Sequence, residues 1–134
     1  FQQGLQFMAA LLDRIDQQQH GIGAFRAFPS SADHCAVEPA PGHTPGTIAI
    51  KFESRGEKAL FCGDILHHAL QVYHPEWNSF ACADAVGARK SRRAALEHCA
   101  GTGARLMPCH FGAPFTCHID HKGSGFVPRF DGSF

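Results

Sequence analysis

The chain has 134 residues, and its 12 basic and 12 acidic side chains give a formal charge of zero. From this length we expect a single domain over residues 1–134. The sequence has no basic run and no basic–aromatic alternation of the kind that binds nucleic acid, so we expect no nucleic-acid partner. No apolar stretch approaches the ~20 residues that span a bilayer, so we expect no membrane partner. The six cysteines form no Cys-x-x-Cys pair, which favours free thiols in a reducing, cytoplasmic location. Because the first residue is Phe1, we expect the reading frame to begin upstream.

Two helices and six strands are predicted along the chain. Apolar residues at three- and four-residue spacing predict helices over Leu5–Gln18 and Asp84–Ala100, with Gly101 ending the second. Apolar runs bounded by glycine, proline and polar residues predict the strands Cys35–Glu38, Thr47–Glu53, Lys58–Cys62, Arg105–Pro108, Thr116–Asp120 and Gly125–Pro128. This order predicts an α/β fold, more fully an α+β mixed sheet with its helices on one face.

Hydrophobic patterning also predicts which sides of these elements are buried. The alternation of Ile48, Ile50 and Phe52 indicates a strand with one buried face, whereas the continuous run 59–62 indicates burial on both faces. The second helix is expected to bury the apolar residues Ala85, Ala88, Ala95, Leu96 and Cys99. Water is expected to cover its basic residues Arg89, Lys90, Arg92 and Arg93.

Three residues that can carry chemistry share one kind of position, a glycine- or proline-bearing loop at a strand end. They are His43 in a Pro-Gly-His-Thr-Pro-Gly turn, Asp64 in Gly-Asp-Ile-Leu-His-His, and His110 in Pro-Cys-His-Phe. Strand ends hold side chains rigidly, and imidazole and carboxylate are ligand types of hydrolytic zinc sites. Taken singly, each residue also has a structural interpretation, as a turn residue, a backbone cap or a hydrogen-bonded core histidine.

Taken in order, these motifs resemble the second half of metallo-β-lactamase-fold hydrolases over about residues 36–128. The resemblance is closest to the lactonase and organophosphate-hydrolase-like branch, in which a similar Gly-Phe-Val-Pro ending occurs. It implies the C-terminal half of an αββα sandwich, in which His43 ligates one metal, the catalytic Asp64 bridges two, and His110 ligates the second. The implied metal is zinc, two ions in a complete site, with manganese, iron or cobalt as alternatives. The implied reaction is hydrolysis of a small-molecule ester, lactone or phosphotriester by a metal-held hydroxide.

The family's His-x-His-x-Asp-His motif, which supplies the remaining ligands, is absent from this sequence. Each metal is then left with one histidine and a share of Asp64, so we expect weak metal binding and little or no activity from the isolated chain. The alternative function is a non-catalytic partial domain, a truncated half that folds by self-association. Such a homodimer would pair the exposed sheet faces, and its expected contact residues are Ile48, Ile50, Phe52, Leu60 and Phe61.

Other residues near these motifs have interpretations that the sequence leaves open. His67, His68 and Thr44 are expected to line the pocket or orient the ligands, or else only to pack the loops. The residues His74, Trp77 and Phe80 form either a substrate wall or an apolar loop packed on the core. A structural zinc site is a further interpretation, although no Cys-x-x-Cys spacing supports it, and its ligands would be Cys99, Cys109, His110, Cys117 and His118.

Overall fold

The computed structural model describes residues 33–130, so the helix predicted over Leu5–Gln18 lies outside the described residues. Within that range the elements follow the expected mixed α/β order. They are β1 (Asp33–Pro39), β2 (Ile48–Ser54), β3 (Glu57–Gly63), α1 (Leu70–Tyr73), α2 (Ala85–Thr102), β4 (Arg105–Pro108), β5 (His118–Lys122) and β6 (Gly125–Arg129). The short helix α1 is not among the elements that the sequence predicts. None of the described helices combines the length and apolar character that a membrane span requires.

A four-stranded mixed sheet forms the frame of the fold, with strand order β1-β2-β3-β4. Strands β1, β2 and β3 pair antiparallel, whereas β4 pairs parallel to β3. Helix α2 makes the crossover that a parallel pair requires. The β2–β3 hairpin has a two-residue turn at Arg55 and Gly56, and both have positive φ angles of 52° and 83°. This is the geometry of a type I′ turn, whose twist matches that of the flanking strands.

Helix α2 begins and ends at residues with clear capping roles. The Asp84 side chain accepts hydrogen bonds from the main-chain N–H groups of Val86 and Gly87 at 2.9 and 3.0 Å. At the other end Gly103, with φ 71°, donates its N–H to Cys99 O. The prediction that Gly101 ends the helix is therefore wrong by two residues, because the left-handed conformation that closes the helix is taken by Gly103.

The main core lies between α2 and one face of the sheet. On that face Ala49 is buried, as are Leu60 and Cys62, whereas Phe61 is only half-buried on the opposite face. Strand β3 thus alternates, and the prediction of burial on both its faces is wrong. The three alternating residues of β2 predicted to be buried are also half-buried, because α2 covers the other face. Leu60 likewise belongs to the helix-covered face and not to the proposed self-association face.

Two predictions for α2 are corrected by the helical geometry. Ala85 is exposed, because it lies in the first turn beyond the sheet-facing stripe. Arg92 has no exposed surface, whereas its charge predicted that it faces water. It lies four residues after Ala88 and three before Ala95, so the helical spacing places it on the buried stripe. The charge of Arg92 predicted exposure, whereas its position in the helical repeat predicted burial. The helical repeat gave the correct prediction.

The last two strands form a separate hairpin that packs beside α2 and β4. Its link to the main sheet is a bridge in which Leu106 and Cys117 exchange main-chain hydrogen bonds of 2.8 and 3.2 Å. Strand β5 starts two residues after the predicted Thr116, because Cys117 makes this bridge. The ribbon's buried residues, Ile119 and Phe126, complete the core.

Candidate metal centre

The sheet topology explains why the loops that carry His43, Asp64 and His110 meet. Strand β1 runs antiparallel to β2, and β2 antiparallel to β3, so β1, β3 and β4 all point the same way. Their carboxyl ends therefore lie at one edge of the sheet, where open α/β sheets bind ligands. His43 follows β1, Asp64 follows β3 and His110 follows β4. The topology thus brings to one edge three residues that are far apart in sequence.

Asp64 lies at the centre of the group. Its Oδ1 atom is 2.6 Å from His110 Nε2, and its Oδ2 atom is 3.5 Å from His43 Nε2. Each carboxylate oxygen therefore faces a different histidine. The exposed fraction rises from 19% for the His43 side chain to 42% for Asp64 and 50% for His110. The group thus has one sheltered side and one side that opens to solvent.

His67, whose role the sequence leaves open, lies between the other two histidines. Its ring centroid lies 4.9 Å from that of His43 and 5.3 Å from that of His110, on which it stacks. One ligand atom each from Asp64, His67 and His110 lie within 4.8 Å of one another. The available sequence signal for His67 was the spacing Asp-x-x-His directly after a strand. A turn of that length brings the His67 side chain back to the side on which Asp64 lies.

The donor set and its protonation suit a divalent cation. Burial, followed by the charge of the neighbouring His43, lowers the pKa of His67, although Asp64 opposes the shift. The neutral imidazole that this favours is the form that binds metal. The Nδ1 atoms of His43 and His67 are buried without a hydrogen-bond partner, an uncommon condition for buried polar atoms. The Nε2 atoms of His43 and His110 face the two oxygens of Asp64, and histidine nitrogens around a shared carboxylate are the donor types of a zinc site.

The turn that carries His43 is docked on the start of α2. Main-chain N–H groups of Ala83 and Asp84 donate to the carbonyls of His43 and Gly42 at 3.0 and 2.9 Å. At Gly42, φ is +144°, and a Cβ atom there would lie 2.1 Å from the main-chain nitrogen of Ala88. Only glycine allows this approach, so the turn is held against the helix and His43 is held with it.

Two of the predicted pocket residues make local bonds. Thr44 is exposed, and its Oγ1 lies 3.0 Å from Thr47 Oγ1, while its N–H donates to the same atom. These bonds shape the turn that carries His43. His68 is also exposed, and its Nδ1 accepts a hydrogen bond of 3.1 Å from Leu70 N at the start of α1. Neither contact tests a role toward a substrate, so that role stays a prediction.

The predicted aromatic group lies at the surface. His74 stacks on Trp77 with ring centroids 4.2 Å apart, and half of Trp77 is exposed. Phe80 is fully exposed. The interpretation of these residues as an apolar loop packed on the core is therefore wrong.

The alternative structural zinc site is also wrong. His110 bonds to Asp64, and His118 Nδ1 lies 3.2 Å from Gly103 O. Cys99 is fully buried, and burial raises the pKa of its thiol to about 12, which disfavours the thiolate that zinc binds. Over residues 33–130, the group formed by Asp64, His67 and His110 is the one set of three or more ligand atoms close enough for a shared ion.

The fold is similar to those of several solved structures. No family profile and no curated protein sequence matches the chain. The structure is similar to AidC, a dizinc quorum-quenching lactonase solved with a product, at a TM-score of 0.71 and 27% identity; the match covers 93% of this chain and 42% of the lactonase. It is also similar to AbOPH, a hydrolase in the β-lactamase superfamily, at a TM-score of 0.68 and 23% identity, over 75% of this chain and 35% of that one. A probable metal-dependent hydrolase from Staphylococcus aureus matches at a TM-score of 0.62 and 16% identity, over 81% of this chain and 39% of that protein.

The chain thus spans less than half the length of each of these three proteins. Its mixed sheet and the helix α2 packed on it agree with these likenesses in fold. The chain thus has the metallo-β-lactamase fold, and over that fold it is similar to the dizinc lactonase and to the hydrolase of the β-lactamase superfamily.

Proposed function

We propose that this chain supplies the metal-binding carboxylate and histidines of a metal-dependent lactonase, with other esters and phosphotriesters as related substrate classes. The observation that carries the proposal is the position of the Asp64 carboxylate. Each of its two oxygens faces a different histidine, His43 or His110. A lactone is favoured because the dizinc lactonase combines the highest identity of the three relatives, 27%, with the fullest coverage.

The residues that would hold zinc are His43, Asp64 and His110, and His67 lies within reach of the same point. When bound, zinc lowers the pKa of a coordinated water to about 7 and polarises the substrate oxygen. A catalytic zinc usually has three protein ligands. A complete centre with two ions therefore requires donors in addition to these four residues, and we propose that they lie outside residues 33–130.

The chain's own residues leave one side of the site open to a substrate. His43 is sheltered, so it fixes the closed side of the group, whereas His110 lies at the open side. The Asp64 carboxylate follows β3 directly, and a rigid strand end keeps its two oxygens directed at the two histidines. A substrate oxygen can thus approach from the solvent side without displacing the sheltered histidine.

Zinc binding by the chain tests this proposal. The affinity is measured by competition with a chromophoric chelator for the wild type, for His110→Ala and for the control His121→Ala. The two histidine side chains have similar exposure, 50% and 53%, but His121 lies at the far ribbon beside Glu97. We expect the first variant to lose at least about tenfold in affinity and the control to stay within about twofold of the wild type.

Activity is then measured on the full-length protein that contains this chain, with a lactone, an aryl ester and a phosphotriester as substrates. We expect His110→Ala to lower lactone hydrolysis far more than His121→Ala does. A wild-type chain that binds zinc no better than the His110 variant would refute the proposal. Equal activity of the two variants would refute it as well.

A further inference from the structure

Two buried polar side chains bind the main chain of the segment that follows Asp64 and contains His67. Within residues 33–130, Arg92 and Gln71 are the buried polar or charged residues, with 0% and 6% exposure. Both bond to residues 65–78, which we call the site loop. A buried loop normally leaves main-chain groups without partners, which destabilises the fold. The two side chains supply partners at the places where the site loop is buried.

Arg92 reaches the site loop from α2. Its Nε atom donates to Ile65 O at 3.0 Å, directly after Asp64 in the chain. Its Nη1 atom donates to Pro75 O at 2.8 Å and to Trp77 O at 2.6 Å. The planar guanidinium has donors in a fixed arrangement, so it sets the positions of these carbonyls relative to one another. It thereby ties both ends of the site loop to the helix.

Gln71 holds the middle of the site loop. Its Oε1 atom accepts hydrogen bonds from the main-chain N–H groups of His67 and His68, at 2.7 and 3.3 Å. Its Nε2 atom donates to Trp77 O at 2.9 Å, the same carbonyl that Arg92 binds. The two side chains therefore form one network that shares the Trp77 carbonyl. Removal of either one weakens the hold on a carbonyl that the other also uses.

We infer that Gln71 and Arg92 are positioning residues for the metal centre. One fixes the main chain of His67, and the other fixes the residue that follows Asp64. Side chains at such a centre must be held within roughly 0.5 Å of their working geometry, and supporting hydrogen bonds provide that precision. This inference rests on the proposed function, since it assigns these two residues to the same metal centre.

The test compares Gln71→Met and Arg92→Met with the control Arg93→Met. Methionine keeps the unbranched, apolar part of each side chain and removes its polar atoms. Arg93 is adjacent on the same helix, but 55% of its side chain is exposed. Amide hydrogen exchange of the site loop and zinc affinity are measured for each variant, and circular dichroism checks that it is folded. We expect about tenfold faster exchange at the His67 amide in both variants, and no change in the control.

Zinc affinity separates a positioning role from a purely structural one. A residue that only stabilises the fold lowers the unfolding temperature but leaves the zinc affinity of the folded protein unchanged. We expect both methionine variants to lose about 10- to 100-fold in zinc affinity while folded. Gln71→Glu keeps the acceptor for the amides of His67 and His68, so we expect the exchange rates of those amides to return toward wild-type values.

The outcomes for the inference and for the proposed function are distinct. If Gln71→Met keeps both wild-type exchange at residues 65–78 and wild-type zinc affinity, the positioning role is wrong. The same conclusion follows if Gln71→Met is folded and exchanges faster but binds zinc as the wild type does. If the wild-type chain binds no zinc at all, the proposed function fails, and site-loop exchange alone then decides whether the two residues hold His67.

Discussion

Replacement of Gly42 by alanine tests how tightly the His43 turn is docked. The added Cβ would lie 2.1 Å from Ala88 N and 2.3 Å from Ala88 Cα, both main-chain atoms of α2. Ordinary carbon contacts are about 3.5–4.0 Å, so the turn and the helix must separate by more than about 1 Å. A main-chain clash of this kind has no side chain that can rotate away.

The expected loss of stability follows from two contributions. Overpacking costs about 1–3 kcal/mol, and a non-glycine residue in a sparsely populated positive-φ region costs about 1–3 kcal/mol. We therefore expect Gly42→Ala to lower the free energy of unfolding by about 2–6 kcal/mol, a large share of a typical domain's total. Because His43 follows directly, zinc affinity should fall as well.

Urea denaturation of three alanine variants separates the two contributions. A Cβ at Gly56 meets nothing within 4 Å but has the positive φ of 83°, and Gly46 has neither a clash nor a positive φ. We expect the largest loss for Gly42→Ala, a loss of about 1–3 kcal/mol for Gly56→Ala, and almost none for Gly46→Ala. A Gly42 variant as stable as the Gly46 variant would show that the turn is not docked on the helix.

Three further predictions concern the helix cap, a half-buried histidine and the outer sheet face. Asp84→Ala removes the cap of α2, and thermal unfolding should show a loss of about 0.5–2 kcal/mol, whereas an unchanged midpoint would contradict the capping role. Burial, followed by the charge of Lys51, lowers the pKa of His98, and Lys58 acts in the same direction while Glu38 opposes it. As pH falls through 6.5, the unfolded chain takes up a proton that the folded chain resists, so stability falls. His98→Gln should make the free energy of unfolding less dependent on pH between 7 and 5. If the free energy of unfolding of the variant changes with pH as steeply as that of the wild type, the lowered pKa of His98 is contradicted. Self-association through the outer sheet face stays a prediction, which sedimentation tests. If the wild type forms a dimer, Ile50→Asp should dissociate it. A monomeric wild type would contradict the prediction.

Much of the fold followed from local pattern. The strands around the three loops were predicted within a few residues, and the order of His43, Asp64 and His110 predicted that they act together. Their meeting required one more fact, the common direction of β1, β3 and β4, which strand order along the chain does not determine. The family resemblance implied a shared metal site for the three residues, but neither it nor periodicity predicted the strand directions.

The errors arose where tertiary structure overrides residue type. Arg92 carries a charge, so its exposure was expected, yet carbonyls of the site loop accept hydrogen bonds from its Nε and Nη1 atoms inside the fold. The sequence left the role of His67 open between lining the pocket, orienting the ligands and packing the loop. Its stacking on His110 depends on a loop held by a residue four positions away, Gln71. Such contacts have no signature in hydrophobic periodicity.

The parallel crossover has a consequence for how the metal centre forms. Asp64 and His110 are 46 residues apart in the chain, and the segment between them includes the site loop and the whole of α2. Closing a loop of that length has an entropic cost that is recovered only when the helix docks and β4 pairs with β3. A partly folded chain therefore lacks the pair of ligands, and zinc uptake during refolding should coincide with completion of the crossover.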